Sequence, residues 1–173
     1  TLPELLAALE IGDAVLIGHS DGASIALVYA GAIGARLRGL ILQAPHVFVE
    51  EVCVQAITRI RHEYASTDLR SRLARHHADP DGAFYGWADA WLDPDFRRWN
   101  LEPFLPGVCV PSLVIQGADD PYGTLAQVEA VCNQVSGGSE RLILPGCGHA
   151  PHRECPEAVL AAMARFVARL AGM

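Results

Sequence analysis

Short apolar runs closed by turn residues alternate along this chain with helical patterns, which predicts an α/β architecture: a mostly parallel sheet with flanking helices and an inserted helical segment. Four runs have strand length, Ala14 to Gly18, Leu37 to Gln43, Ser112 to Gln116 and Arg141 to Leu144, and glycine or proline stands at or just past the end of each. Between the second and third runs the composition changes. Residues 47–107 hold seven arginines (Arg59, Arg61, Arg70, Arg72, Arg75, Arg97 and Arg98) and all three tryptophans, Trp87, Trp91 and Trp99. The expected organisation is therefore a core of residues 1–46 and 108–173 interrupted by a cap of residues 47–107.

Thr1 to Leu9 reads as a helix, with Pro3 suited to a first turn and Glu4 to the positive end of the dipole. Ala14 to Gly18 then forms a buried strand. Ala23-Ser24-Ile25-Ala26-Leu27-Val28-Tyr29-Ala30 follows as a helix, so the residues between make a tight strand-to-helix turn. Within the insertion, Val52 to Tyr64, Asp68 to His77 and Ala83 to Leu92 read as helices. Asp79-Pro80-Asp81-Gly82 reads as a turn, and Asp93-Pro94 as a stop. A structureless insertion of this length is disfavoured, which is why a helical cap is expected. Pro156 to Leu170 closes the chain as an amphipathic helix with Val159, Met163, Phe166, Val167 and Leu170 along one face.

The strand-to-helix turn is Gly18-His19-Ser20-Asp21-Gly22. A serine at the apex of such a turn is held in a strained conformation that exposes its hydroxyl, with the N–H groups of the following helix beside it. Gly18 and Gly22 are expected to be small because strand and helix cross there. The string alone occurs often by chance; its strand and helix context gives it weight. Two further strand ends carry polar groups: Gly117-Ala118-Asp119-Asp120-Pro121 after the third run, and Gly146-Cys147-Gly148-His149 after the fourth. In a parallel sheet the carboxyl ends lie along one edge, where the ligand crevice forms. Ser20, an aspartate and His149 therefore converge, as a nucleophile, an orienting acid and a base, in the chain order Ser, Asp, His.

These three motifs together resemble the C-terminal part of an α/β-hydrolase, and the resemblance covers essentially the whole chain. It implies Ser20 as nucleophile, His149 as general base, and the Asp21 backbone N–H as one oxyanion donor. The family usually places its acid three residues after the glycine, which selects Asp120 over Asp119. It also implies an esterase-like serine hydrolase needing no metal or organic cofactor, acting on a small-molecule ester or related acyl bond through an acyl-enzyme. C–C bond hydrolases, lactonases and cofactor-free haloperoxidases use the same residue set. An inactive fragment or a non-catalytic ligand-binding relative is the alternative of a different class. The family's sheet has eight strands and this chain has material for the last four, so a piece of a longer enzyme lacking the His-Gly oxyanion loop is expected. His19, His46, Trp87 and Trp91 are candidate substrate contacts.

With 51% hydrophobic residues and no apolar run near 18 residues, a soluble protein is expected rather than a membrane span. A net charge of −7 argues against nucleic acid and anionic membranes as partners, leaving a small-molecule substrate and a possible homo-oligomer. The five cysteines, Cys53, Cys109, Cys132, Cys147 and Cys155, show no metal-ligand or C-x-x-C spacing. Buried or half-buried free thiols in a reducing cytoplasm are expected; Cys147, two residues before His149, could be exposed at the site but is not on a nucleophile turn and is given no role.

Overall fold

The described residues of the computed structural model are 1–34 and 36–172. Strands β1 (Ala14–His19), β2 (Leu37–Gln43), β3 (Ser112–Gly117) and β4 (Ser139–Leu144) form one sheet in the order β1-β2-β3-β4, every pair parallel. Their carboxyl ends consequently share one edge. Helices α1 (Leu2–Ala8) and α2 (Asp21–Ala32) flank β1 in sequence. A parallel β3–β4 pair needs a crossover, and α6 (Leu125–Gln134) supplies it; the sequence reading had no element there. The short α7 (Pro151–Glu154) and the long α8 (Pro156–Ala171) follow β4.

One sheet face is closed by α8. Ile41, Leu113 and Ile115 pack with Val159, Ala162, Phe166 and Leu170, and Met163 joins them half-buried. Val167, expected on this face, is 42% exposed instead. Alternation along the strands sends Leu40, Leu42 and Val114, all fully buried, to the opposite face. There α2 and α6 pack against the sheet.

The chain divides into two compact units, one of Thr1–Phe48 with Asn100–Met173 and one of Val49–Trp99. The second is narrower than the expected insertion of 47–107. Residues 100–107 belong with the sheet because Leu101 donates its N–H to the Val47 carbonyl at 2.6 Å and Leu105 is fully buried against the core. The second unit contains α3 (Glu51–Ser66), α4 (Leu69–Leu73), α5 (Pro80–Leu92) and a 3₁₀ turn at Pro94–Arg98. Asp79 to Gly82, expected as a turn, starts α5: the Asp79 carboxylate accepts the Gly82 N–H at 2.9 Å and Pro80 occupies the first helical turn. Four of the seven arginines of this unit are paired locally, Arg61 with Asp89, Arg70 with Asp81, Arg97 with Glu51 and Arg98 with Asp95. Among the described residues no helix is long and apolar enough to cross a membrane.

Candidate active site

Ser20 lies between the last residue of β1 and the first of α2, at φ 54° and ψ −123°. Few non-glycine residues adopt such a backbone, so the surroundings must hold it. The Ser20 N–H donates to the Gln43 carbonyl at 2.9 Å, tying the turn to the end of β2. The Ser20 carbonyl accepts from the N–H groups of Ala23 and Ser24, which starts α2 directly beneath it. Gly18 makes the crossing possible: a Cβ there would lie 2.4 Å from the Gly22 carbonyl oxygen. The expectation for Gly22 is corrected, since a Cβ on it would meet nothing within 4 Å. It is the backbone of residue 22 that crowds Gly18, not the reverse.

At the end of β3, Gly117 lets the next loop come close; a Cβ on it would sit 2.1 Å from the Gly148 carbonyl oxygen. The Ala118 N–H donates to Leu144 and the Asp119 N–H to Cys147, each at 2.9 Å. The acid turn and the histidine loop are thereby stitched together. Asp119 is exposed, whereas the Asp120 side chain is 1% exposed and faces inward.

The result is a continuous line of hydrogen bonds. His149 Nε2 lies 3.0 Å from Ser20 Oγ, and His149 Nδ1 lies 2.8 Å from Asp120 Oδ2. Asp120 Oδ2 also accepts from Gln116 Nε2 at 2.8 Å, and its Oδ1 accepts the Tyr122 N–H at 2.8 Å. Burial alone would push the Asp120 carboxyl up. The bonds from His149, Tyr122 and Gln116 outweigh it and hold the carboxyl below its ordinary value. With Asp120 ionised, His149 is set with Nδ1–H toward the acid and the Nε2 lone pair toward Ser20.

Asp21 opens α2, where the positive end of the helix begins, beside Ser20. His19 and His46 both reach this region: the ring centroids lie 5.0 Å and 5.7 Å from that of His149. His46 is buried, while His19 is half-buried and burial pushes it below the ordinary histidine value. Tyr122, not foreseen from the sequence, places its ring 4.7 Å from that of His149. Trp87 and Trp91 belong to the second unit. Trp91 is buried against Phe96 and Trp99, and Trp87 is half-buried beside Phe84 in an apolar cleft with Ile60, Leu69 and Leu73.

Cys147 is not exposed at the site. It is fully buried among Leu144, Val159 and Phe166, and burial together with neighbouring Cys155 pushes its thiol up to about 12. Gln116 was missed by sequence reading, although a glutamine at the end of an otherwise apolar core strand is a usable signal. Among the described residues, no group of three or more histidine, cysteine or acidic side chains is placed to hold a metal ion.

Comparison with known proteins agrees with this fold. Residues 1–162 match the Alpha/beta hydrolase family. Esterase YbfF of Escherichia coli strain K12 is 26% identical over 183 residues, an alignment spanning 96% of this chain and 72% of that protein. A thermophilic esterase from Thermogutta terrifontis superposes with a TM-score of 0.69 at 24% identity, over 98% of this chain and 70% of its own. The esterase EaEST from Exiguobacterium antarcticum does so with a TM-score of 0.69 at 18% identity, over 96% and 70% respectively. With a parallel sheet, a strained serine turn and a family match over most of its length, the chain belongs to the alpha/beta hydrolase family and is a hydrolase.

Proposed function

We propose that the chain hydrolyses a small-molecule ester or related acyl bond, with Ser20 as nucleophile, His149 as general base and Asp120 as orienting acid. The observation that carries this reading is the hydrogen-bond line from Ser20 Oγ through both ring nitrogens of His149 to Asp120. In the first step Ser20 Oγ attacks the ester carbonyl carbon while its proton passes to His149 Nε2. Asp120 stabilises the imidazolium that results. The Asp21 N–H, at the start of α2, stabilises the oxyanion. His149 then gives its proton to the leaving alkoxide, and the carbonyl re-forms as the acyl-enzyme. A water deprotonated by His149 attacks that ester in turn, and Ser20 is released with its proton restored. The resemblance to an esterase over nearly the whole chain supports an ester over other acyl bonds. The five free cysteines fit a reducing, cytoplasmic setting.

The test is intact-mass labelling with a fluorophosphonate, with turnover of p-nitrophenyl acetate measured alongside. A single adduct, absent in Ser20→Ala, is expected. An adduct that persists in Ser20→Ala would refute the assignment.

A further inference from the structure

We propose that Glu154 and His19 are positioning residues that hold the backbone of His149 so that its ring meets Ser20; the inference rests on reading His149 as the general base. His149 sits in the loop between β4 and α7, where neither a strand ladder nor a helix fixes the chain. Three hydrogen bonds from two side chains take their place. The Glu154 carboxylate accepts the Gly148 N–H on Oε2 at 2.6 Å and the Ala150 N–H on Oε1 at 2.9 Å. From the opposite side, His19 Nε2–H donates to the His149 carbonyl at 2.7 Å.

The peptide unit following His149 is thus held at both poles, its carbonyl by His19 and its N–H by Glu154. The loop is also pinned one residue earlier, at Gly148. A Cβ on Gly148 would lie 3.0 Å from Glu154 Oε2, so the bare glycine is what lets the carboxylate reach in. His19 is the residue before Ser20. The nucleophile and the base backbone are therefore linked through a single residue and one hydrogen bond. The two N–H groups hold Glu154 below the ordinary carboxylate range, and burial, with His149 and His152 nearby, pushes His19 below its ordinary value against the pull of Asp120. Neither residue hydrogen-bonds to Ser20 Oγ or Asp120; each acts through His149.

The test uses the full chain as wild type, Glu154→Gln, Glu154→Ala and His19→Phe. Readouts are kcat and KM on p-nitrophenyl acetate, Tm, and the far-downfield proton resonance of the His149 Nδ1–H···Asp120 bond. Glu154→Gln keeps one acceptor for two N–H groups and should lose about tenfold in kcat; Glu154→Ala should lose about 100-fold, the scale of a 1 Å misplacement. His19→Phe keeps a ring but no donor, and should fall between them. In each, KM should stay within about twofold, because orientation of the base and not substrate binding is disturbed. The downfield resonance should broaden or vanish at temperatures where the variant is fully folded. A Glu154→Ala protein with wild-type kcat and an intact resonance would overturn the proposal, as would a kcat loss explained wholly by unfolding. Should the wild type neither turn over ester nor take label at Ser20, the base reading fails, and the resonance alone still decides whether these residues fix the His149 ring.

Discussion

Asp120→Asn is the substitution whose consequences the geometry specifies most closely. Three donors converge on this carboxylate, His149 Nδ1 and Gln116 Nε2 on Oδ2 and the Tyr122 N–H on Oδ1, each at 2.8 Å. An asparagine offers one acceptor and one NH₂. With its oxygen toward Tyr122, the NH₂ confronts both the His149 ring and the Gln116 amide, and His149 can respond only by moving its proton to Nε2. That tautomer points a proton at Ser20 and has no lone pair to act as base. With the oxygen turned the other way the correct tautomer survives, but the NH₂ meets the Tyr122 N–H in a buried place. Two donors left facing each other cost on the order of 1–3 kcal/mol, and the imidazolium still lacks its counter-charge. Either orientation cripples the base, so kcat should fall by about 10³–10⁴, or roughly 4–5 kcal/mol of transition-state stabilisation. Asp119→Asn should stay within about twofold, since Asp119 is exposed and outside the hydrogen-bond line. The assay is kcat on p-nitrophenyl acetate normalised to fluorophosphonate-reactive sites, with Tm recorded for both variants. Retention of more than about a tenth of wild-type kcat in Asp120→Asn, or a larger loss in Asp119→Asn, would refute the reasoning.

Three further outcomes are expected. Gly18→Ala drives a Cβ to 2.4 Å from backbone at the serine turn and should cost about 3 kcal/mol or prevent folding, whereas Gly22→Ala, in open space, should be neutral or gain up to about 1 kcal/mol; thermal melts of the pair check this. Gln116→Leu removes the donor to Asp120 and to the Gly123 carbonyl together with a buried amide oxygen that has no partner; these effects oppose each other, so Tm should change little while kcat falls about tenfold, read from paired melts and turnover. Tyr64, stacked on Phe84 and donating its hydroxyl to Asp81, has its phenol pushed up to about 12 by burial and by that bond. Between about pH 10 and 12 the folded chain keeps a proton that the unfolded chain has lost. The associated stability is therefore complete below pH 10 and declines as pH rises through that window; Tyr64→Phe should abolish this part of the alkaline decline in Tm.

What could be read from the sequence was whatever is decided within a few residues. The serine turn was legible because an apolar run, a glycine, a serine and a helical pattern stand side by side, and each constrains its neighbour. The placement of Asp120 and His149 needed only one non-local rule, that parallel strands end on a common edge. Where local signals were ambiguous the reading slipped. Asp79-Pro80-Asp81-Gly82 has the composition of a turn and equally of a capped helix start, and the helical run from Ala83 to Leu92 settles it as the second. Asp68 to His77 has helical composition, yet the α-helix spans only Leu69–Leu73. The α6 crossover lacked a strong periodic signal and is demanded by sheet topology instead.

The residues that escaped were those that support the chemistry without supplying it. Serine, aspartate and histidine announce themselves by type, because few side chains can attack a carbonyl or carry a proton near neutral pH. Gln116 and Glu154 do not, since an amide or carboxylate that orients a neighbour looks in sequence like any other polar residue. Their roles come from register. The end of β3 puts Gln116 Nε2 on the oxygen that His149 uses, and the one-turn α7 brings Glu154 back onto the two amides flanking His149. Both contacts join residues only four to six apart, yet the residue type alone does not say which amide or oxygen the folded turn will bring to it. Variation at these two positions should therefore tune the rate of the same Ser-His-Asp line without altering the motifs by which that line is recognised.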